Sequence, residues 1–168
     1  MAAKTHSPAG SGAPRSSNAQ NGNQTPVFDQ NTWVNPGGEL SGGGIDPGGL
    51  DGQLFLAIDH SGTARNDNVY TLAIVQPPGD AFTEVVFVRS IDGGLTFSAP
   101  MRVNDDVNHQ NKWHWFGTLA VAPNGRLDAV RYDTRYVSIH RGGETKNPSF
   151  SFVTKHRQNI VDTLMILA

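Results

Sequence analysis

The side chains best suited to chemistry lie between Asn104 and Arg135. They are Asp105, Asp106, His109, Lys112, Trp113, His114, Trp115, Asp133 and Arg135. Carboxylates of this kind accept hydrogen bonds from hydroxyl groups, and a guanidinium pairs bidentately with a ligand carboxylate. Indole rings supply flat apolar platforms with a polar edge. The set suits a polar, hydroxylated ligand such as a glycan. A second use of each residue stands beside this one. Trp113 and Trp115 are also candidates for core packing, and Asp133 and Arg135 for pairing with each other or capping backbone. Asp105, Asp106 and Asn108 offer oxygen ligands but lack the regular spacing and glycine of a hand-type calcium loop. His109 and His114 lie five residues apart without the His-x-x-x-His pattern of a helical zinc pair. No metal and no cofactor is expected.

The elements that must position these residues read as strands. Leu54 to Ile58 and Asn68 to Gln76 are apolar runs, the second almost continuous, as in a strand covered on both faces. Glu84 to Arg89 and Thr96 to Asn104 follow, joined through Asp92-Gly93-Gly94. Asp-Gly-Gly between β-type runs is a hairpin turn, because glycine supplies the positive φ values. The Asp accepts backbone N–H groups at such a turn, and Phe97 anchors the hairpin on its sheet. The pattern then restarts. Leu56-Ala57-Ile58-Asp59-His60-Ser61-Gly62 aligns without gaps on Leu119-Ala120-Val121-Ala122-Pro123-Asn124-Gly125. Leu127 to Tyr132 takes the second-strand place and Phe150 to Thr154 the third. A repeat of this size with four strands per unit is a propeller-blade signature.

Ser90-Ile91-Asp92-Gly93-Gly94-Leu95-Thr96-Phe97 fits Ser-x-Asp-x-Gly-x-x-Phe/Trp at every specified position. It resembles the Asp-box of bacterial sialidase-like β-propellers, with Ser90, Asp92, Gly94 and Phe97 as its structural residues. Trp113-His114-Trp115-Phe116-Gly117 and Asp133-x-Arg135 extend the resemblance, which covers roughly Gly48 to Arg135. It implies an all-β fold and a fragment of a β-propeller, about one and a half four-stranded antiparallel blades. It also implies a glycoside hydrolase parent acting on sialylated or related glycans, often secreted. In that family an arginine triad, a Tyr nucleophile with a Glu partner and an Asp acid/base do the chemistry. No Phe/Tyr-Arg-Ile-Pro motif is present, and the contexts of Tyr132, Tyr136 and Glu144 do not match the family. Arg131 stands where those relatives carry an aromatic residue. No catalytic residue is therefore carried over. Asp133 and Arg135 are candidates by position alone, and Asp105, Asp106, Lys112, Trp113, His114 and Trp115 are the candidate ligand-binding set. The competing expectation is a non-catalytic segment that binds a glycan or a protein.

Composition bounds these readings. The 168 residues carry 17% charged side chains, 19 glycines and 10 prolines, with a formal charge of −2. That balance creates no field for nucleic acid or a membrane surface. No cysteine is present, which excludes disulfides and thiolate metal sites. No apolar segment follows the amino terminus, so no secretory signal is visible. Residues 1–27 lack Leu, Ile, Phe, Trp and Tyr, too little apolar surface to offset ordering entropy. Residues 37–52 hold eight glycines in sixteen positions, with no Gly-Lys-Ser/Thr of a phosphate loop after them. The expectation is a disordered segment over 1–50, apart from a strand remnant at Phe28 to Val34. About one and a half blades follow over 51–135, and a poorly matching tail over 136–168, with a short helix within His156 to Ala168. An isolated blade leaves its faces wet, so further blades or self-association are expected to bury them.

In an antiparallel blade alternate loops share an end. The Asp-box turn and the Pro123-Asn124-Gly125 turn are expected at one end. The 104–116 link, the Pro77 to Phe82 loop and the chain after Asp133 are expected at the other.

Overall fold

A computed structural model describes residues 10–40 and 53–134, together with the backbone of 151–157 and 164–167. Among the described residues its regular structure is strand, apart from a short 3-10 turn at His109–Asn111. The strands are β1 Ser11–Ser16, β2 Phe28–Val34, β3 Glu39–Leu40, β4 Leu54–Ile58, β5 Val69–Gln76 and β6 Glu84–Ser90. They continue as β7 Met101–Arg102, β8 His114–Val121, β9 Leu127–Asp133, β10 Ser151–Arg157 and β11 Leu164–Leu167. All pairings are antiparallel.

The first main sheet is a meander in which β3 and β4 lie end to end along one edge of β5, followed by β6 and β7. The second runs β8, β9, β10, β11 in chain order. The two pack face to face, and neither closes on itself. Strand alternation decides which residues meet. Leu72 and Ile74 of β5 and Val85 of β6 point toward the second sheet, where Leu119 and Ala129 pack against them. Gly117 sits at the closest approach. A β-carbon there would lie 3.0 Å from Leu72 Cδ2, 3.1 Å from Ile74 Cδ1 and 3.3 Å from Val85 Cγ1. The intervening residues Ala73, Val75, Val86 and Val88 point the other way and are also buried. β5 is thus covered on both faces, as its unbroken apolar run requires.

The cover on the second face departs from expectation. Residues 10–40, expected to be disordered apart from a strand at Phe28 to Val34, form the hairpin β1–β2, in which β2 is that strand, and the short edge strand β3. The segment cannot supply its own core, but the sheet beneath it can. Val34 and Ala13 pack into the cluster of Ala73, Val75, Val86 and Val88. The hairpin loop is held by Asn18, whose Oδ1 accepts from Val27 N at 2.7 Å and whose Nδ2 donates to Thr25 O at 3.1 Å. Two further corrections follow. The strand expected over Thr96 to Asn104 is confined to Met101–Arg102, because Asp92 engages Leu95 and Thr96 in the turn instead. The helix expected in the tail is replaced, where the backbone is described, by β11, which pairs with β10 through Phe152–Leu167, Val153–Ile166, Thr154–Met165 and Lys155–Leu164. The expectations on 1–9, 41–52 and 135–150 lie outside the described residues.

Candidate functional site

The Ser90–Phe97 turn is a closed hydrogen-bond unit. Asp92 Oδ1 accepts from Leu95 N at 3.0 Å, Thr96 N at 2.9 Å and Ser90 Oγ at 2.6 Å; Asp92 Oδ2 accepts from Thr96 Oγ1 at 2.5 Å. Gly93 and Gly94 take φ values of 69° and 90°, where a side chain is strained. The Ser90 hydroxyl, then the Thr96 hydroxyl and amide, hold the Asp92 carboxyl far below the usual range. Phe97 packs against the buried cluster beneath the hairpin. This carboxylate is committed to the turn and has a structural role. A comparable arrangement closes the β4–β5 loop. Buried Asp59 accepts from Ser61 N at 2.9 Å and from Tyr70 Oη at 3.4 Å, and the Ser61 contact above all holds its carboxyl below the usual range.

At the opposite end the candidate residues gather around the link between β7 and β8. A β-bulge organises them. The register is His114–Asp133 and Trp115–Tyr132 before it, and Thr118–Val130 after it. Phe116, at φ 48°, lies inside the irregularity. Gly117 and Leu119 face the first sheet, so plain alternation would send Trp115 inward and His114 outward. The extra residue reverses this. His114 turns inward and is fully buried, while Trp115 stacks on Tyr132 at 5.8 Å on the other face.

His114 ties the link to the end of β6. Its Nδ1 donates to Thr83 O at 2.7 Å, and its Nε2 meets Asp106 Oδ1 at 2.9 Å. The ring thus lies between a backbone carbonyl and a carboxylate, one at each nitrogen. Thr83 Oγ1 donates to His114 O at 2.6 Å. Burial opposes the Asp106 charge, but the His114 ring and then the Asn104 amide outweigh it and hold the carboxyl below the usual range. Asn104 Oδ1 in turn accepts from Val85 N at 3.1 Å. His109 Nδ1 makes a short contact with Glu84 Oε1. Asp106 Oδ2 and Glu84 Oε2 are buried and accept no hydrogen bond among the described residues.

Arg131, only 2% exposed, lies on the inward face of β9. Its Nη2 donates to Asp105 Oδ1 at 3.1 Å and lies 3.6 Å from Asp133 Oδ2. Trp113 is half-buried, edge-on to Phe82 at 5.0 Å, and its backbone N–H donates to Thr134 Oγ1 at 2.9 Å. The structure therefore brings Asp105, Asp106, Trp113, His114 and Asp133 to one end. Trp115 lies beside them facing away from the first sheet, and Lys112 is half-buried in the link. Arg135 lies outside the described residues. Sequence reasoning missed Arg131 and Thr83 as the partners that fix this cluster. An arginine within the mostly apolar Leu127 to Tyr132 strand pattern was the available signal, since a buried arginine requires carboxylates.

What remains open to a ligand is a subset. Asp105 and His109 keep about a third of their side chains exposed, at 32% and 27%, and Trp113 presents part of its ring. Among the described residues no group of three or more His, Asp or Glu is placed to hold a metal ion. Comparison with protein-family models, curated proteins and solved structures finds no match for this chain.

Proposed function

We propose that this chain is a segment of a sialidase-like β-propeller, two successive blades of a larger assembly. In this reading it binds a glycan at the link end and has no hydrolytic chemistry of its own. The observation that carries the reading is the pairing of two stacked antiparallel meanders, one of five strands and one of four, with a closed Ser90–Asp92–Thr96 turn at one end and an acid–aromatic link at the other. The state of Arg131 favours binding over hydrolysis. Its Nη2 is directed at Asp105 and Asp133, so these charges hold one another rather than a substrate carboxylate and a reacting bond. Asp105, Lys112 and Trp113 are the contacts assigned to the ligand, a carboxylate and an ammonium for hydroxyl groups and an indole for the ring face. His114, Asp106, Asp133 and Trp115 support them from beneath. The parent's activity on sialylated glycans belongs to the same reading, with the catalytic groups supplied by other blades.

Two assays on the 168-residue chain test it. Hydrolysis of a fluorogenic sialoside is expected to be absent, and a glycan array is expected to give binding that Trp113→Ala weakens with the fold retained by circular dichroism. Turnover that disappears in Asp133→Asn, in a chain that remains folded, replaces the binding reading with a catalytic one. Silence in both assays removes the ligand.

A further inference from the structure

The β1–β2 hairpin is a separate two-stranded sheet. Its backbone ladder is wholly internal, with Ser11–Val34, Gly12–Trp33, Ala13–Thr32, Pro14–Asn31, Arg15–Gln30 and Ser16–Phe28 as partners. It lies flat on the face formed by Ala73, Val75, Val86 and Val88, and touches it through Ala13 and Val34. Thr32 Oγ1 donates to Leu95 O at 3.4 Å, a bond that ties it to the Asp92 turn. The tether is short: Asn35-Pro36-Gly37-Gly38 joins β2 to β3. Asn35 Oδ1 accepts from Gly37 N at 2.8 Å, and Gly37 takes φ 87° to fold the hairpin back. Beyond it, Gly38 is fixed, since a β-carbon there would lie 2.4 Å from Gln76 O. The hinge therefore ends at Gly37.

We infer that this hairpin is an exchangeable cover, and that the apolar face of β5–β6 accepts the same hairpin from a second copy of the chain. The inference is independent of the ligand reading. Leaving the sheet breaks none of the hairpin's ladder bonds, but it exposes the buried valines, so a lone chain stays closed. A second copy restores each lost contact with the identical surface. The exchange then costs only the freedom of two chains becoming one, and concentration offsets that cost. This is the balance that makes swapping of one element between identical chains an accessible route to dimers. The turn at Gly37 sets the bias. A residue that resists positive φ disfavours the folded-back hinge and not the open one. Gly37→Val is also crowded in the closed form, where a β-carbon lies 3.1 Å from Pro100 Cγ.

The natural chain has no cysteine, so introduced thiols report unambiguously. One preparation carries Thr32→Cys, a second Leu95→Cys, and a third carries both. The singly substituted chains are mixed at high concentration, left to equilibrate and oxidised. A covalent heterodimer on a non-reducing gel is expected, with a dimer fraction by light scattering that grows with concentration and rises several-fold in Gly37→Val. Singly substituted chains that stay separate, while the doubly substituted chain closes on itself, overturn the inference. So does an unsubstituted chain that is monomeric at every concentration, and so does a dimer that forms without the cross-chain disulfide.

Discussion

The His114 ring and the Asp106 carboxylate, 2.9 Å apart and both buried, join the beginning of β8 to the link that precedes it. Through Thr83 the same ring reaches the entrance of β6. One side chain thus fixes the distance between the two sheets at the end where the candidate ligand residues lie. His114→Ala leaves Asp106 as a buried carboxylate with only the Asn104 amide. Removing one partner of a buried charged pair typically costs about 3–5 kcal/mol, and a loss of that order is expected in urea unfolding followed by tryptophan fluorescence. Adding Asp106→Asn is expected to recover part of it. Additive losses in the double mutant show that the two residues are not coupled.

Arg131 makes a parallel case on the next strand. Arg131→Ala is expected to destabilise by about 3 kcal/mol or more, because it removes the guanidinium beside the fully buried Asp133 carboxylate. Arg131→Ala combined with Asp133→Ala is expected to be the more stable chain of the two. The opposite order assigns the loss to packing of the arginine stem rather than to charge.

How much of this was legible follows from the physics of each element. β4 was readable to the residue, and β5, β6 and β9 nearly so, because their side chains are apolar or alternating and their boundaries carry turn residues. The Asp92 turn was readable because its bonds run between residues at most four apart in sequence. The orientation of β8 was not. Alternation assigns Trp115 and Gly117 to one face, and only the bulge at Phe116 separates them. Nothing in Trp-Phe-Gly-Thr announces a bulge before its partner strand is known. The pairing of β1 with the expected Phe28 to Val34 strand was missed for a related reason. Ala13 and Val34 are a small apolar content for a whole segment, and they suffice only because the face they cover belongs to β5 and β6.

Acid should unfold the chain through the carboxylates held below the usual range. Asp92, Asp59 and Asp106 all titrate below the usual carboxylate range in the fold. A depressed carboxylate contributes stability that is complete above its unfolded value, about 3.9. That contribution is lost as pH falls through its lower folded value. The stability of the natural chain is therefore expected to fall from about pH 4 downward. Asp92→Asn is expected to flatten that acid limb while lowering stability at neutral pH, where the Ser90 and Thr96 hydroxyl bonds are weakened. An unchanged acid limb removes Asp92 from the account.

Gly117 tests the packing between the sheets. A single methyl group there meets Leu72, Ile74 and Val85 at 3.0–3.3 Å. Overpacking of this kind costs about 1–3 kcal/mol. Gly117→Ala is expected within that range, and Gly117→Val is expected beyond it. Relief by Leu72→Ala in the Gly117→Val background is the signature of a direct clash, whereas no relief points to strain in the backbone of the bulge.

Trp113 and Trp115 are two residues apart and are expected to behave oppositely. Trp115 is 3% exposed and lies against Tyr132. Truncating a buried tryptophan costs about 3–5 kcal/mol, so Trp115→Ala is expected to lose stability of that order and any ligand binding only in proportion to unfolding. Trp115→Phe keeps a ring over Tyr132 and is expected to recover most of the loss. Trp113 meets Phe82 edge-on and leaves part of its ring in solvent. Trp113→Ala is expected to cost about 1 kcal/mol, closer to the centre of point-mutant effects, and to weaken glycan binding while the chain remains folded. The pair of measurements is a urea midpoint and a binding isotherm on each variant. Binding that survives Trp113→Ala and fails in folded Trp115→Phe moves the platform to the Tyr132 side of β8, and with it the ligand from the link to the outer face of the second sheet.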